Sequence, residues 1–137
     1  MPVAHFHLPR GVFTPDQEAQ LVVAASETYA RVLGSPIDRV RAFVVHYEPS
    51  VVAVGGELVA DGAAVSPYFT AIVLAGRPVG QRQNLLALFT DLIVDILAVD
   101  RAQVRGQIVE VAPENWAIGG TPAAEMRSAE IAARVGR

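Results

Sequence analysis

Pro49-Ser50-Val51-Val52-Ala53-Val54-Gly55-Gly56 is answered 64 positions later by Pro113-Glu114-Asn115-Trp116-Ala117-Ile118-Gly119-Gly120. The same shift carries Arg41 onto Arg105 and Val45 onto Val109. It also carries the apolar set Leu21, Val22, Ala25, Tyr29 and Leu33 onto Leu85, Leu86, Phe89, Ile93 and Leu97. That set has helical spacing, so each half carries an amphipathic helix. A repeat in one register across these positions makes the chain a duplication. Taken without a gap, the shift sets Pro2 on Ser66, Arg77 on Phe13 and Trp116 on Val52.

Each half reads as strand, helix, strand. Residues 3–8 and 68–74 are short, apolar and partly alternating. Thr14-Pro15-Asp16-Gln17 is a helix start, with Thr as cap, Pro in the first turn and Gln in the capping-box place. Helices are predicted over 15–33, stopping at Gly34-Ser35-Pro36, and over 79–98. Strands follow over 39–47 and 103–111, and each Gly-Gly closes a short hairpin-like segment. Residues 57–66 link the halves, and Thr121-Pro122 opens a C-terminal helix over 122–134, with Gly136 beyond its end. The expected fold is α+β: two tandem βαβ units (2–62 and 67–120) and a helical tail (121–137), all in one domain. Two helices would cover one face of a four-stranded sheet, and the uncovered face predicts an oligomer.

Composition narrows the chemistry. The chain has 137 residues, 52% hydrophobic and 18% charged, as a globular domain does. Its net charge of −3 speaks against a nucleic-acid partner. Asp91 and Asp95 interrupt the richest apolar stretch, so no membrane span is expected. There is no basic-then-apolar leader, and the expected location is cytoplasmic. Without cysteine there is no thiolate nucleophile or disulfide. All 11 basic residues are arginine, which stays protonated, so no lysine can serve as a base or form an imine. Amine chemistry near neutral pH is then confined to the α-amino group. Removal of Met1 would place that group on Pro2.

The first half, through Pro2-Val3-Ala4-His5-Phe6-His7, Ser35-Pro36-Ile37-Asp38-Arg39-Val40-Arg41 and Val54-Gly55-Gly56-Glu57-Leu58, resembles a subunit of 4-oxalocrotonate tautomerase. The second half, through Gly76-Arg77 and Pro113–Gly120, resembles malonate semialdehyde decarboxylase and the chloroacrylic acid dehalogenases. The chain is thus similar to fused two-unit members of the tautomerase superfamily. The resemblance implies the tautomerase fold, a homotrimer of six βαβ units and no cofactor. It implies Pro2 as catalytic base and arginines that bind a carboxylate substrate beside it.

Pro2 and Arg77 are the candidate catalytic residues. An amino-terminal proline in a dry, Arg-rich pocket loses its proton more readily, through both desolvation and positive neighbours. Arg77, in a Gly-Arg-Pro turn, can clamp a carboxylate with two parallel bonds. Antiparallel pairing of the first strands of the two units would set Pro2 opposite Leu74–Arg77. Arg41 and its copy Arg105 are candidate substrate-binding residues, and either could face Pro2. Trp116 is the candidate aromatic wall. The dehalogenase pattern departs here at Leu74, Tyr29, Gln107 and Ile118, and the decarboxylase's aspartate falls near Val40. The remaining set suits keto–enol transfer on a small 2-oxo or enol acid. The alternatives are a hydratase, dehalogenase or decarboxylase of a three-carbon acid, and a catalytically silent trimeric binding protein. His5 and His7 share a strand face, but no third ligand accompanies them, so no metal is expected. His46 and Tyr29 read as structural, and Asp16 and Glu18 as first-turn helix charges.

Overall fold

The computed structural model describes residues 2–135. Met1 and Gly136, the expected cleavage and helix-end positions, lie outside the described residues. The first unit runs β1 (Val3–Pro9), α1 (Pro15–Leu33), β2 (Arg41–Tyr47), then the hairpin β3 (Ala53–Val54) and β4 (Glu57–Leu58). The second runs β5 (Tyr68–Leu74), α2 (Val79–Leu97), β6 (Arg105–Val111), then β7 (Ala117–Ile118) and β8 (Thr121–Pro122). Two short helices close the described chain, α3 (Ala123–Met126) and α4 (Ser128–Val135).

The four long strands form one sheet in the order β2-β1-β5-β6. Within each unit the strands are parallel, and β1 meets β5 antiparallel with Phe6 facing Phe69. Both helices pack on the same face. There Phe6, Phe69, Phe89 and Tyr29 join in tilted and edge-on ring contacts with centroids 5.2–6.1 Å apart. Leu21, Ala25 and Leu33 of α1 and Leu85, Ile93 and Leu97 of α2 complete this core, the two stripes predicted from the repeat.

Local chemistry explains the boundaries. Thr14 and Gln17 exchange the two capping-box bonds at 3.1 and 2.9 Å, and Pro15 opens α1. Both Gly-Gly pairs have positive φ at each residue, as a two-residue hairpin turn requires.

Four expectations need correction. The strands expected from 39 and 103 begin two residues later, because Ile37–Arg39 and Arg101–Gln103 wind as single 3₁₀ turns. Residues 57–58 belong to the first hairpin, so the link between units is shorter than 57–66. Thr121-Pro122 is a strand, and the C-terminal helix breaks at Arg127 into α3 and α4. Buried Ala123, whose N–H donates to Trp116 O at 2.7 Å, fixes the first turn, and the chain re-aims beyond it.

The fourth correction concerns the repeat itself. The helices and second strands are related by 64 positions, but β1 and β5 are related by 65, since the turn at 10–14 is one residue longer than that at 75–78. Pro2 therefore matches Pro67, not Ser66. The hydrogen bonds agree: Arg41 N–H donates to Pro2 O at 2.9 Å, and Arg105 N–H to Pro67 O at 3.0 Å.

Candidate active site

The sheet brings Pro2 and Arg77 together. The β1–β5 ladder ends at Val3 opposite Ile72, so one step further Pro2 faces Val73, one residue short of the expected Leu74–Arg77. The turn after β5 then folds Arg77 back. Pro2, Val73, Leu74 and Arg77 line one small cavity with Leu33, Ser35, Arg39, Glu130 and Arg134. Pro2 itself is buried. The cavity holds about 10 Å³, room for about one water. Outside it a groove of about 500 Å³ shares Leu33, Ser35, Arg39, Arg77, Glu130 and Arg134.

Arg77 leaves the β5–α2 turn at Gly76, whose φ of +108° suits glycine. Its Nη1 donates to Leu33 O at 2.9 Å and to Gln81 Oε1 at 3.1 Å, while Gln81 Nε2 donates to Val32 O at 2.9 Å. The guanidinium is thus docked on the C-terminal carbonyls of α1, the negative end of that helix. Burial, and then the neighbouring Arg134, push its pKa down to about 10, so it stays charged at neutral pH.

Tyr29 lies beneath. Its hydroxyl donates to Ile72 O at 2.5 Å and more weakly to Val3 O at 3.4 Å, tying β1 to β5 behind Pro2. Burial pushes this phenol well above its ordinary range. It is a neutral core residue.

Arg39 and Glu130 carry no mark in the sequence, being 91 positions apart and on different elements. The Arg39 fork meets the Glu130 carboxylate with two bonds of 3.0 and 3.1 Å, and Arg134 lies 4.0 Å from it. The Arg39 hydrogen bonds hold Glu130 below the usual carboxylate range, against the smaller effect of burial.

Arg41 and Arg105 are treated alike by their units and differently by the sheet. Each Nη1 binds the carbonyls of its preceding turn, Asp38 and Val40 at 2.7 and 3.2 Å, and Ala102 and Val104 at 2.7 and 3.1 Å. Arg41 starts β2 beside Val3, at the Pro2 end. Arg105 starts β6 beside Tyr68, at the far end. Within one chain, then, only Arg41 neighbours Pro2. Trp116 and Ile118 line a second groove of about 380 Å³ with Val3, Asp38, Arg39, Arg41 and Arg127. Nε of Arg127 is buried there without a hydrogen-bond partner.

The histidines lie elsewhere. His46 pairs with Glu18 at 2.7 Å between β2 and α1. On the open face of the sheet His5 stacks on Phe43, and His7 on Tyr68.

Comparison with known proteins agrees with this architecture. The family model described as Tautomerase enzyme matches residues 2–62 and 67–126. Native fused 4-OT is similar at a TM-score of 0.85 and 26% identity, over 91% of this chain and 98% of that one. Pt0534 inactivated by 2-oxo-3-pentynoate gives 0.83 at 18% identity, over 90% and 98%. N1, a member of the cis-3-chloroacrylic acid dehalogenase family, gives 0.77 at 15%, over 98% and 99%. A search of the curated proteins found no match. Two copies of one βαβ unit, with a second-position proline and a Gly-Arg turn meeting at a cationic cavity, agree with the match of both halves to one family model, and the chain belongs to the tautomerase family.

Proposed function

We propose that the chain is a keto–enol tautomerase of a small 2-oxo or enol carboxylic acid, with Pro2 as its base once Met1 is removed. The observation that carries this reading is the shared cavity of Pro2 and Arg77, where three guanidiniums (Arg39, Arg77, Arg134) face one carboxylate (Glu130). Burial and positive charge both disfavour the protonated secondary amine. A neutral Pro2 can take the enol hydroxyl proton, the O–H electrons then forming the C=O bond, and return a proton to carbon, where the former C=C electrons form the new C–H bond. Arg77 holds the substrate carboxylate, and Arg41 or Arg105, one of them reaching in from a neighbouring subunit of a homotrimer, stabilises the developing enolate oxygen. Trp116 lines the separate groove beside Arg41 and not the Pro2 cavity of its own chain, so as an aromatic wall it would serve a neighbouring subunit's site.

Hydration is the weaker route. Val40 and Ile118 supply no carboxylate, and Glu130 is engaged by Arg39. The near-closed cavity at Pro2 does favour a second reading, a silent binding protein.

Three measurements separate these. Intact mass shows whether Met1 is gone. Phenylenolpyruvate ketonisation shows turnover, and Pro2→Ala is expected to lower it about 10²–10⁴-fold with little change in melting. The electrophile named with Pt0534, 2-oxo-3-pentynoate, is expected to label the Pro2 peptide. Unchanged turnover in Pro2→Ala overturns the assignment, and a processed chain with no turnover at all leaves the binding protein.

A further inference from the structure

We propose that Arg39 and Arg134 form an anion seat at the mouth of the Pro2 cavity, that Glu130 fills this seat in the free chain, and that an incoming carboxylate displaces it and lifts α4. The proposal rests on the reading of the site given above and concerns its control.

Three observations converge. Glu130 and Arg134 line both the one-water cavity at Pro2 and the wide groove outside it, so α4 stands between them. A substrate larger than water reaches Pro2 by parting the side chains common to both spaces, and of these Glu130 and Arg134 ride on α4. Second, α4 is lightly held: none of its residues is buried, and Val135 is 82% exposed. Segments with so little buried surface open at low cost. Third, its main polar fastening is the two-bond Arg39–Glu130 pair, the geometry with which Arg receives any carboxylate. The side chains of that pair are 26% and 44% exposed, and ion pairs so exposed are weak. With Arg77, three guanidiniums still face a single carboxylate, so the seat has positive charge to spare when Glu130 leaves. An external carboxylate and Glu130 then compete for one fork. Each lowers the occupancy of the other, because a ligand shifts an equilibrium by its preference for one of the two states.

Benzoate tests this on the full chain. It is a carboxylate without an enolisable carbon, so its binding reads the seat and not turnover. Titration calorimetry of wild type, Glu130→Gln and Arg39→Gln is expected to show benzoate binding about 5–10-fold tighter in Glu130→Gln, the range of a modest competing population, and weaker in Arg39→Gln. Hydrogen exchange over 128–135 in the wild type is expected to speed up when benzoate is added. Benzoate affinity unchanged or reduced in Glu130→Gln overturns the proposal, even where α4 loosens, because Glu130 is then a fastening and not a competitor. Exchange in α4 that ignores benzoate overturns it equally. The outcomes separate the two readings. A Pro2→Ala variant of full activity with tighter benzoate binding in Glu130→Gln defeats the catalytic assignment alone, and the reverse pattern defeats the seat alone.

Discussion

Pro2 and Pro67 take the same place in two copies of one unit, each lending its carbonyl to the first N–H of the parallel strand beside it. Pro67's nitrogen is an amide inside the chain, so of the two only Pro2 could become an amine, and only on removal of Met1. Arg77 is the complement, present in one turn only. Its replacement by Ala is expected to raise KM for carboxylate substrates about 10–100-fold, the worth of a charge-assisted bond to a bound anion. Steady-state rates measure this, and unchanged KM and kcat would make Arg77 a mere helix dock. Packing offers a second test. Gly106 faces Phe69 across the β5–β6 ladder, and a Cβ there would meet the ring at 2.2 Å. Gly106→Ala is therefore expected to cost about 1–3 kcal/mol in urea unfolding, as overpacking does. Pro2 and Arg77 were legible in the sequence because a second-position Pro and a Gly-Arg turn are local signals. Arg39 with Glu130 was not, since the pair forms only when α4 crosses back to the Pro2 end of the first unit.

Among the elements, the two long helices end in the same left-handed residue but with different chemistry. Gly34 closes α1 at φ +63°, and Ala98, its counterpart in the repeat, closes α2 at φ +55°. Ala98 is the one non-glycine residue of positive φ among the described residues, and it bears the steric cost of a Cβ there. Ala98→Gly removes that cost but frees the unfolded chain, so a net gain of about 0.5 kcal/mol is expected, seen as a higher urea midpoint with an unchanged slope. No gain would mean that α2 is anchored by its apolar stripe alone. Helix spans, hairpins and the one-faced sheet were readable because capping boxes, Gly-Gly turns and 3.6-residue stripes are written locally. The pairing of the repeats was misread at Ser66 because a single extra residue in one turn shifts only the strand before it, while the helices keep their alignment. The break at Arg127 was unreadable for another reason: nothing in Ala123–Val135 stops a helix, and the bend follows from Ala123 docking under Trp116.

For the whole molecule, the proposed trimer turns on the sheet face away from the helices. It presents His5, His7, Phe43, Tyr47 and Tyr68 side by side, with Phe43 48% and Tyr47 40% exposed. Such a run of rings is what a partner covers, and in the homotrimer proposed above it meets the other subunits. His7 adds a pH dependence. Its Nδ1 lies 2.7 Å from the Tyr47 hydroxyl, and burial, then the charge of His5, lower its pKa. A histidine whose folded pKa lies below its unfolded one binds its proton first in the unfolded chain, so stability falls as pH drops through the histidine range. Burying the face further in an assembly strengthens the same effect, because more desolvated imidazolium must then be tolerated. Sedimentation is expected to give three times the 14.6 kDa chain at neutral pH, and smaller species with a lower Tm near pH 5. His7→Phe is expected to flatten that dependence. A single 14.6 kDa species at neutral pH would overturn the trimer, and a trimer indifferent to pH between 7 and 5 would remove His7 from its interface.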